Sequence, residues 1–187
     1  MTGNPVVRKI GGSMEKWDLY TRNRECTGRE QIRGEAIPEG LYHLVVHVWL
    51  KNHQGQYLIS KRSADRPTHP LMWECPGGSV LLGETSLHGA VREVEEEVGV
   101  RLVPEDGRQV FFMVRDSAMP YLLDVWLFEE KEEECFVPDL GAAETKEVSE
   151  VHWMRPDEIR KLYESGLTVP SIGYFFSTIE KQEEWKQ

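Results

Sequence analysis

Between Gly78 and Val100 the chain reads GSVLLGETSLHGAVREVEEEVGV. Gly78, Glu84, Arg92, Glu93, Glu96, Glu97 and Gly99 recur there at set intervals, with aliphatic Val94 and Val100 between and after them. At average residue usage such a set arises by chance in roughly one window per billion or fewer. The order constrains the fold, because it specifies a glycine turn, then an amphipathic helix, then a stop. From Thr85 to Val98 the residues Leu87, Ala90, Val91, Val94 and Val98 recur at spacings of three and four, which places them on one packed face. Thr85 or Glu84 suits the N-cap, and Gly99 suits the left-handed residue that ends the helix.

On a wheel of about 100° per residue, Glu93, Glu96 and Glu97 fall within roughly 100° of one another and clear of the aliphatic stripe. Carboxylates so close repel one another unless a positive charge lies among them. Oxygen-only ligands on a rigid helix suit a hard divalent ion, Mg²⁺ first and Mn²⁺ second. A run of glutamates is ordinarily a solvated face, and Glu95, which points elsewhere, is read that way. The paired glycines of Cys75-Pro76-Gly77-Gly78 let the backbone come close to a metal or a phosphate.

This segment is similar at every fixed position to the box of the Nudix hydrolases, G-x5-E-x7-R-E-U-x-E-E-x-G-U with U aliphatic. The resemblance covers roughly residues 40–164 and implies an α/β fold, the Nudix α/β/α sandwich with a mixed β-sheet. It also implies the metal ligands: the carbonyl of Gly77 with the carboxylates of Glu93, Glu96 and Glu97. Arg92 would orient the glutamates and Glu84 would support them. The activity implied is a divalent-metal-dependent pyrophosphohydrolase, which cleaves a diphosphate bond in a nucleoside diphosphate linked to another moiety. Nudix hydrolases are often dimers, so the resemblance admits a homodimer, while the sequence itself leaves oligomeric state open.

A length of 187 residues, 40% of them hydrophobic, suits one well-buried domain. Residues 14–187 are expected to form it, behind a flexible leader at 1–13. The net charge of −10 argues against a general nucleic-acid binder, whose affinity depends on Lys and Arg. A small anionic substrate remains compatible, because a bound metal inverts the local field. Cys26, Cys75 and Cys135 are odd in number and form no C-x-x-C pair, which points to a reducing, cytoplasmic setting. The longest apolar stretch, Leu41 to Leu50, is too short to span a bilayer.

Glu15 to Tyr20 and Cys26 to Ile32 predict an N-terminal hairpin around Arg22-Asn23-Arg24. Strands are expected at Leu41 to Leu50, Gln56 to Lys61, Gln109 to Arg115, Tyr121 to Glu129 and Val151 to Met154. Between them, the loop from Arg62 to Leu71 is placed to form a substrate wall, and the acidic run Glu129 to Glu134 reads as a solvated loop. Helices are expected at Pro156 to Ser165, with proline in the first turn, and at Ser171 to Lys186.

Glu147 is the candidate general base or extra ligand by its approximate place before the last strand, with Glu144 and Glu150 competing; a base must reach the attacking water. Arg62, Trp73 and Tyr121 are candidates for holding phosphate and base, since an Arg fork matches phosphate oxygens and aromatic faces stack on flat rings. Core packing is the alternative for both aromatics. Cys75 has no activating partner in the sequence. The stretch around Tyr42-His43 resembles isopentenyl-diphosphate isomerase, a branch of the same superfamily in which the matching His binds metal. That enzyme also needs a Cys and a His where this chain has Gly77 and Ser79, so His43 reads as a strand residue. A non-catalytic nucleotide-sensing Nudix module is the third reading, and the intact glutamates argue against it.

Overall fold

The computed structural model describes residues 9–10, 13–131 and 135–184. The chain opens with two short paired strands, β1 (Lys9–Ile10) and β2 (Ser13–Met14), followed by β3 (Lys16–Thr21) and β4 (Cys26–Ile32). The expected leader therefore falls partly outside the described residues, at 1–8 and 11–12. The long strand β5 (Leu41–Lys51) leads to β6 (Tyr57–Arg62), then to the short strands β7 (Trp73–Glu74) and β8 (Gly77–Ser79), and on to helix α1 (Ser86–Val98). Strands β9 (Arg108–Arg115), β10 (Tyr121–Glu129) and β11 (Val148–Met154) precede helix α2 (Pro156–Glu164), a 3-10 segment (Pro170–Ser177) and helix α3 (Ile179–Glu184).

The main sheet runs β11-β6-β5-β10-β9 and is mixed: β5 and β10 are parallel from Tyr121 opposite His43 to Glu129 opposite Lys51, and the other neighbours are antiparallel. The N-terminal hairpin forms as expected, β3 against β4, and joins the sheet where Tyr20 pairs with Tyr42. Strand β8 lies antiparallel on β5, with Gly77 opposite His47 and Gly78 opposite Val46.

Alternation along β5 builds two cores, since successive side chains face opposite sides of the sheet. Leu44, Val46, Val48 and Leu50 pack on one side with Ala90, Val94 and Val98 of α1. On the other side, Trp49 joins Tyr57, Ile59, Leu123, Val125 and Leu127 beneath Ile159 of α2 and Ile172, Phe175 and Ile179 of the C-terminal segment. Each such side chain taken from water contributes about 1.5–3 kcal/mol. The result is the α/β/α sandwich that the sequence predicts.

Two local expectations change. The helix expected over Ser171 to Lys186 is a 3-10 segment, a break at Thr178 (φ −123°, ψ −71°) and the short α3; residues 185–187 lie outside the described residues. The side chains of Ser177 and Thr178 both bond to Tyr174 O, at 3.0 and 2.7 Å, and such local bonds compete with helix continuation. A 3-10 turn also aligns residues three apart, which puts Ile172 and Phe175 together in the core. In the acidic run, the side chain of Glu130 is covered rather than solvated: its carboxylate accepts from the amides of His53 (3.0 Å) and Phe136 (2.7 Å). Residues 132–134 of that run lie outside the described residues. Among the described residues, no helix is long and apolar enough to cross a membrane.

Candidate active site

Helix α1 begins where Thr85 Oγ1 accepts from the His88 amide at 3.2 Å, and ends at Gly99, φ 69°, whose amide donates to Glu95 O at 3.0 Å. These caps hold the acidic face of the helix against β8. The strand is held close on both sides: a Cβ on Gly77 would stand 2.1 Å from the backbone oxygen of Val46, and one on Gly78 would stand 2.5 Å from the end of the Glu93 side chain. The Gly77 amide donates to Glu97 Oε2 at 3.1 Å, tying the turn to the helix.

Arg92 is the hub. Its Nε and Nη2 donate to the two oxygens of Glu84 at 2.8 and 3.0 Å, and Nη2 also reaches Ser79 O at 3.0 Å. Its Nη1 reaches Glu93 at 2.9 Å and Glu96 at 3.3 Å. Glu84 in turn accepts from the Leu81 amide at 2.9 Å, so it braces the loop as well as the arginine. Burial pushes the Glu84 carboxyl up, but the Arg92 fork and the Leu81 amide outweigh it and hold its pKa below the usual value. Burial opposes the charge on Arg92, yet its glutamate partners raise its pKa.

Glu93 and Glu97 are buried, at 6% exposure each. Burial first, then the charges of Glu93, Glu74 and Glu147, push the Glu97 carboxyl well above the ordinary range, and the Gly77 amide only partly offsets them. Glu95 points away and pairs with Arg101 at the surface, 2.9 Å apart. The wheel reading thus separates the inward carboxylates from the outward one.

Two further ion pairs close the site. Glu74 pairs with Arg62, and burial raises its pKa despite that arginine. Glu147 pairs with Arg66 at 2.6 Å. Of the three loop glutamates considered, Glu147 adds to the charges that raise Glu97; Glu150 binds Lys61 at 2.9 Å on the exposed edge. Neither Glu74 nor Arg66 was singled out from the sequence. The signal for Glu74 was a lone carboxylate two residues before Pro76, in the otherwise uncharged run from Leu71 to Leu82.

Beside Glu74 opens a cavity of about 400 Å³, whose walls include Arg62, His69, Glu74, Arg115, Tyr121 and Pro170. The loop from Arg62 to Leu71 does form one wall, with His69 and Leu71 at φ 49° and 62°, values rare for residues with side chains. Arg62 and Tyr121 thus share a cavity with each other, but Trp73 is not in its lining. The Trp73 ring lies 5.4 Å from Lys61 Nζ and 5.3 Å edge-on from His152.

His43 is a buried strand residue stacked on Trp17 at 4.3 Å, with Nδ1 3.1 Å from Pro120 O. Cys75 is buried and its thiol pKa is raised by burial, the reverse of an activated nucleophile. Among the described residues, no three His, Cys, Asp or Glu side chains stand arranged as a metal cage. The donor chemistry nonetheless suits a hard cation: all oxygen, crowded, and with Glu97 pushed toward the neutral form first by burial and then by its like-charged neighbours.

Comparison with known proteins decides the family. A NUDIX domain profile matches residues 41–170. The chain belongs to the NUDIX family. It is 38% identical over 164 residues to an uncharacterized Nudix hydrolase of Listeria innocua, covering 87% of this chain and 91% of the relative. Another, from Listeria monocytogenes, is 37% identical with the same coverage. The solved structure of DR0079 from Deinococcus radiodurans superposes with a TM-score of 0.61 at 23% identity, covering 83% of this chain and 92% of that one, and shares the fold. This chain is a Nudix hydrolase acting on phosphoanhydride bonds.

Proposed function

We propose that this Nudix hydrolase is a divalent-metal-dependent pyrophosphohydrolase that cleaves a diphosphate bond in a nucleoside diphosphate linked to another moiety. One observation carries the reading: Glu93 and Glu97 of α1 stand against the Gly77-Gly78 turn, and Glu74, whose charge acts on Glu97, lines a cavity walled by Arg62 and Tyr121. Glu93, Glu96, Glu97 and the Gly77 carbonyl would hold Mg²⁺ or Mn²⁺. When bound, such an ion offsets phosphate charge and activates water for attack at phosphorus. Arg92 keeps Glu93 and Glu96 aimed toward one another. Glu147, oriented by Arg66, takes the proton from the attacking water, and the leaving phosphate departs with its bridging oxygen. Arg62 supplies positive charge to the diphosphate, while Tyr121 offers a face for a flat ring. Trp73 belongs to this substrate set only if the surface around Lys61 and His152 also touches the moiety. A cytoplasmic setting and a homodimer complete the proposal.

Among the described residues, the contacts of His43 are with Trp17, Tyr121 and the Pro120 carbonyl, none of them a carboxylate, Cys or His that would complete the isomerase metal site. The test is a panel of nucleotide sugars, dinucleoside polyphosphates, ADP-ribose, coenzyme A and damaged nucleoside triphosphates, assayed with Mg²⁺, Mn²⁺ or chelator. In ¹⁸O water the label should enter a phosphate product. Full turnover under chelator would refute the metal requirement. Conversion of isopentenyl diphosphate to its dimethylallyl isomer, with no label in phosphate from any nucleotide, would overturn the hydrolase reading.

A further inference from the structure

The face of the sheet opposite α1 holds a polar hub that the mechanism above does not use. The hydroxyl of Tyr174, on the 3-10 segment, lies 3.0 Å from Trp49 Nε1, 2.9 Å from His47 Nδ1 and 4.0 Å from Cys75 Sγ. An indole N–H can only donate, so the tyrosine oxygen accepts from Trp49. The tyrosine's own proton is then free for His47 or Cys75. Phe111 stacks on the Tyr174 ring at 5.4 Å, and Tyr174 itself is buried, so the hydroxyl is held in place from behind.

The partners of that hydroxyl flank the glycine turn. His47 is paired with Gly77 across β5 and β8, and the Val48 amide donates to Pro76 O at 2.8 Å. Cys75 is the residue before Pro76. The turn passes so close to β5 that a Cβ on Gly77 would meet Val46 O at 2.1 Å, so a small shift of β5 or of Cys75 must move the turn as well. On its other side the Gly77 amide binds Glu97. A continuous set of contacts thus leads from Tyr174 through His47 and Cys75 to Gly77 and on to Glu97.

We infer that Tyr174 is a positioning residue, whose hydroxyl fixes the Gly77 turn against Glu97 so that backbone carbonyl and carboxylate can hold one divalent cation. The inference rests on the metal-site reading of Gly77 and Glu97, and deepens it by assigning the C-terminal segment a role at the opposite face of the sheet. A residue acting this way lowers turnover and metal affinity when altered, while substrate affinity changes little.

The test uses the full chain with Tyr174→Phe, which keeps the ring and removes the hydroxyl. Binding of Mn²⁺ alone is followed by electron paramagnetic resonance, and exchange of the Gly77 and Gly78 amides is measured in metal-free protein. Mn²⁺ affinity should fall at least fivefold, and both amides should exchange at least tenfold faster, while the amides of β4, which pairs only with β3, keep their rates. In the hydrolase assay kcat should fall about tenfold with KM within twofold. His47→Gln, which leaves the Trp49 bond to Tyr174 in place, should reproduce the Mn²⁺ and exchange effects. Unchanged Gly77 exchange in Tyr174→Phe overturns the inference, as does unchanged Mn²⁺ affinity. A wild-type chain that binds Mn²⁺ yet hydrolyses nothing in the panel would refute the proposed function instead, and the exchange comparison would still decide the role of Tyr174.

Discussion

Arg92 and Glu84 meet fork to fork, Nε on one carboxylate oxygen at 2.8 Å and Nη2 on the other at 3.0 Å. The pair joins the loop before α1 to the middle of the helix, and leaves Nη1 to hold Glu93 and Glu96. Lysine supplies the same charge without the fork. Arg92→Lys should therefore lower kcat by about ten- to a hundredfold, roughly 1.4–2.7 kcal/mol in the barrier, with KM nearly unchanged. Steady-state kinetics on the best substrate of the panel would check this, and a kcat equal to wild type would show that charge alone suffices.

The inward glutamates should separate sharply from the outward one. Removing a charge partner of the transition state costs roughly 3 kcal/mol, so Glu96→Gln or Glu97→Gln should lose about two orders of magnitude in rate while the fold persists. Glu95→Gln, which breaks only a surface pair with Arg101, should stay within about twofold of wild type. If Glu95→Gln lost as much activity as Glu96→Gln, the assignment of helix faces would be wrong.

The elements around β5 and α1 were legible in the sequence because their signals are local: a near-continuous apolar run from Leu41 to Leu50, aliphatic residues three and four apart, and caps at Thr85 and Gly99. The partners of the site were less legible. Glu74 and Arg66 reach the carboxylates only after β6, β7 and the following turn bring residues far apart in the chain together, and nothing in a single sequence fixes that distance. Glu147 could be approached by position alone, and its separation from Glu150 required the register of β11 on β6. The C-terminal segment misled for a related reason: its apolar spacing suits an α-helix, yet Ser177 and Thr178 turn their hydroxyls back onto Tyr174 O.

The two glycines of the turn should fail differently when enlarged. The atom that a Gly78→Ala methyl meets is the end of the flexible Glu93 side chain, 2.5 Å away, which can swing aside. That substitution should displace the carboxylate, and so cost at least tenfold in activity with a loss of stability of about 1 kcal/mol or less. A Gly77→Ala methyl meets backbone, Val46 O at 2.1 Å, and the strands must part. Its cost should exceed about 2 kcal/mol. Urea denaturation of both variants beside an activity assay tests the contrast, and equal destabilisation would show that Glu93 cannot yield.

His43 gives the fold a pH dependence whose sign follows from its surroundings. Burial pushes its pKa down to about 4; the Pro120 carbonyl opposes this and the charge of Arg33 adds to it. In the unfolded chain the imidazole protonates as pH falls through about 6.5, while the folded protein resists until about 4. The unfolded state therefore binds more protons across that window. The contribution of His43 to stability is present in full above it, and is lost as pH falls, by up to roughly 3 kcal/mol, of which roughly 2 kcal/mol falls between about pH 7 and about pH 5. His47, also moved to about 4, first by burial and then by Arg115, adds a second share of the same sign. His43→Gln should accordingly flatten the acid loss by roughly 2 kcal/mol between about pH 7 and about pH 5, leaving the share of His47. Urea melts of the metal-free chain at each pH measure both slopes. A variant whose slope matched wild type would mean that His43 protonates as readily in the folded protein as in the unfolded chain, and that its stack on Trp17 does not exclude the charge.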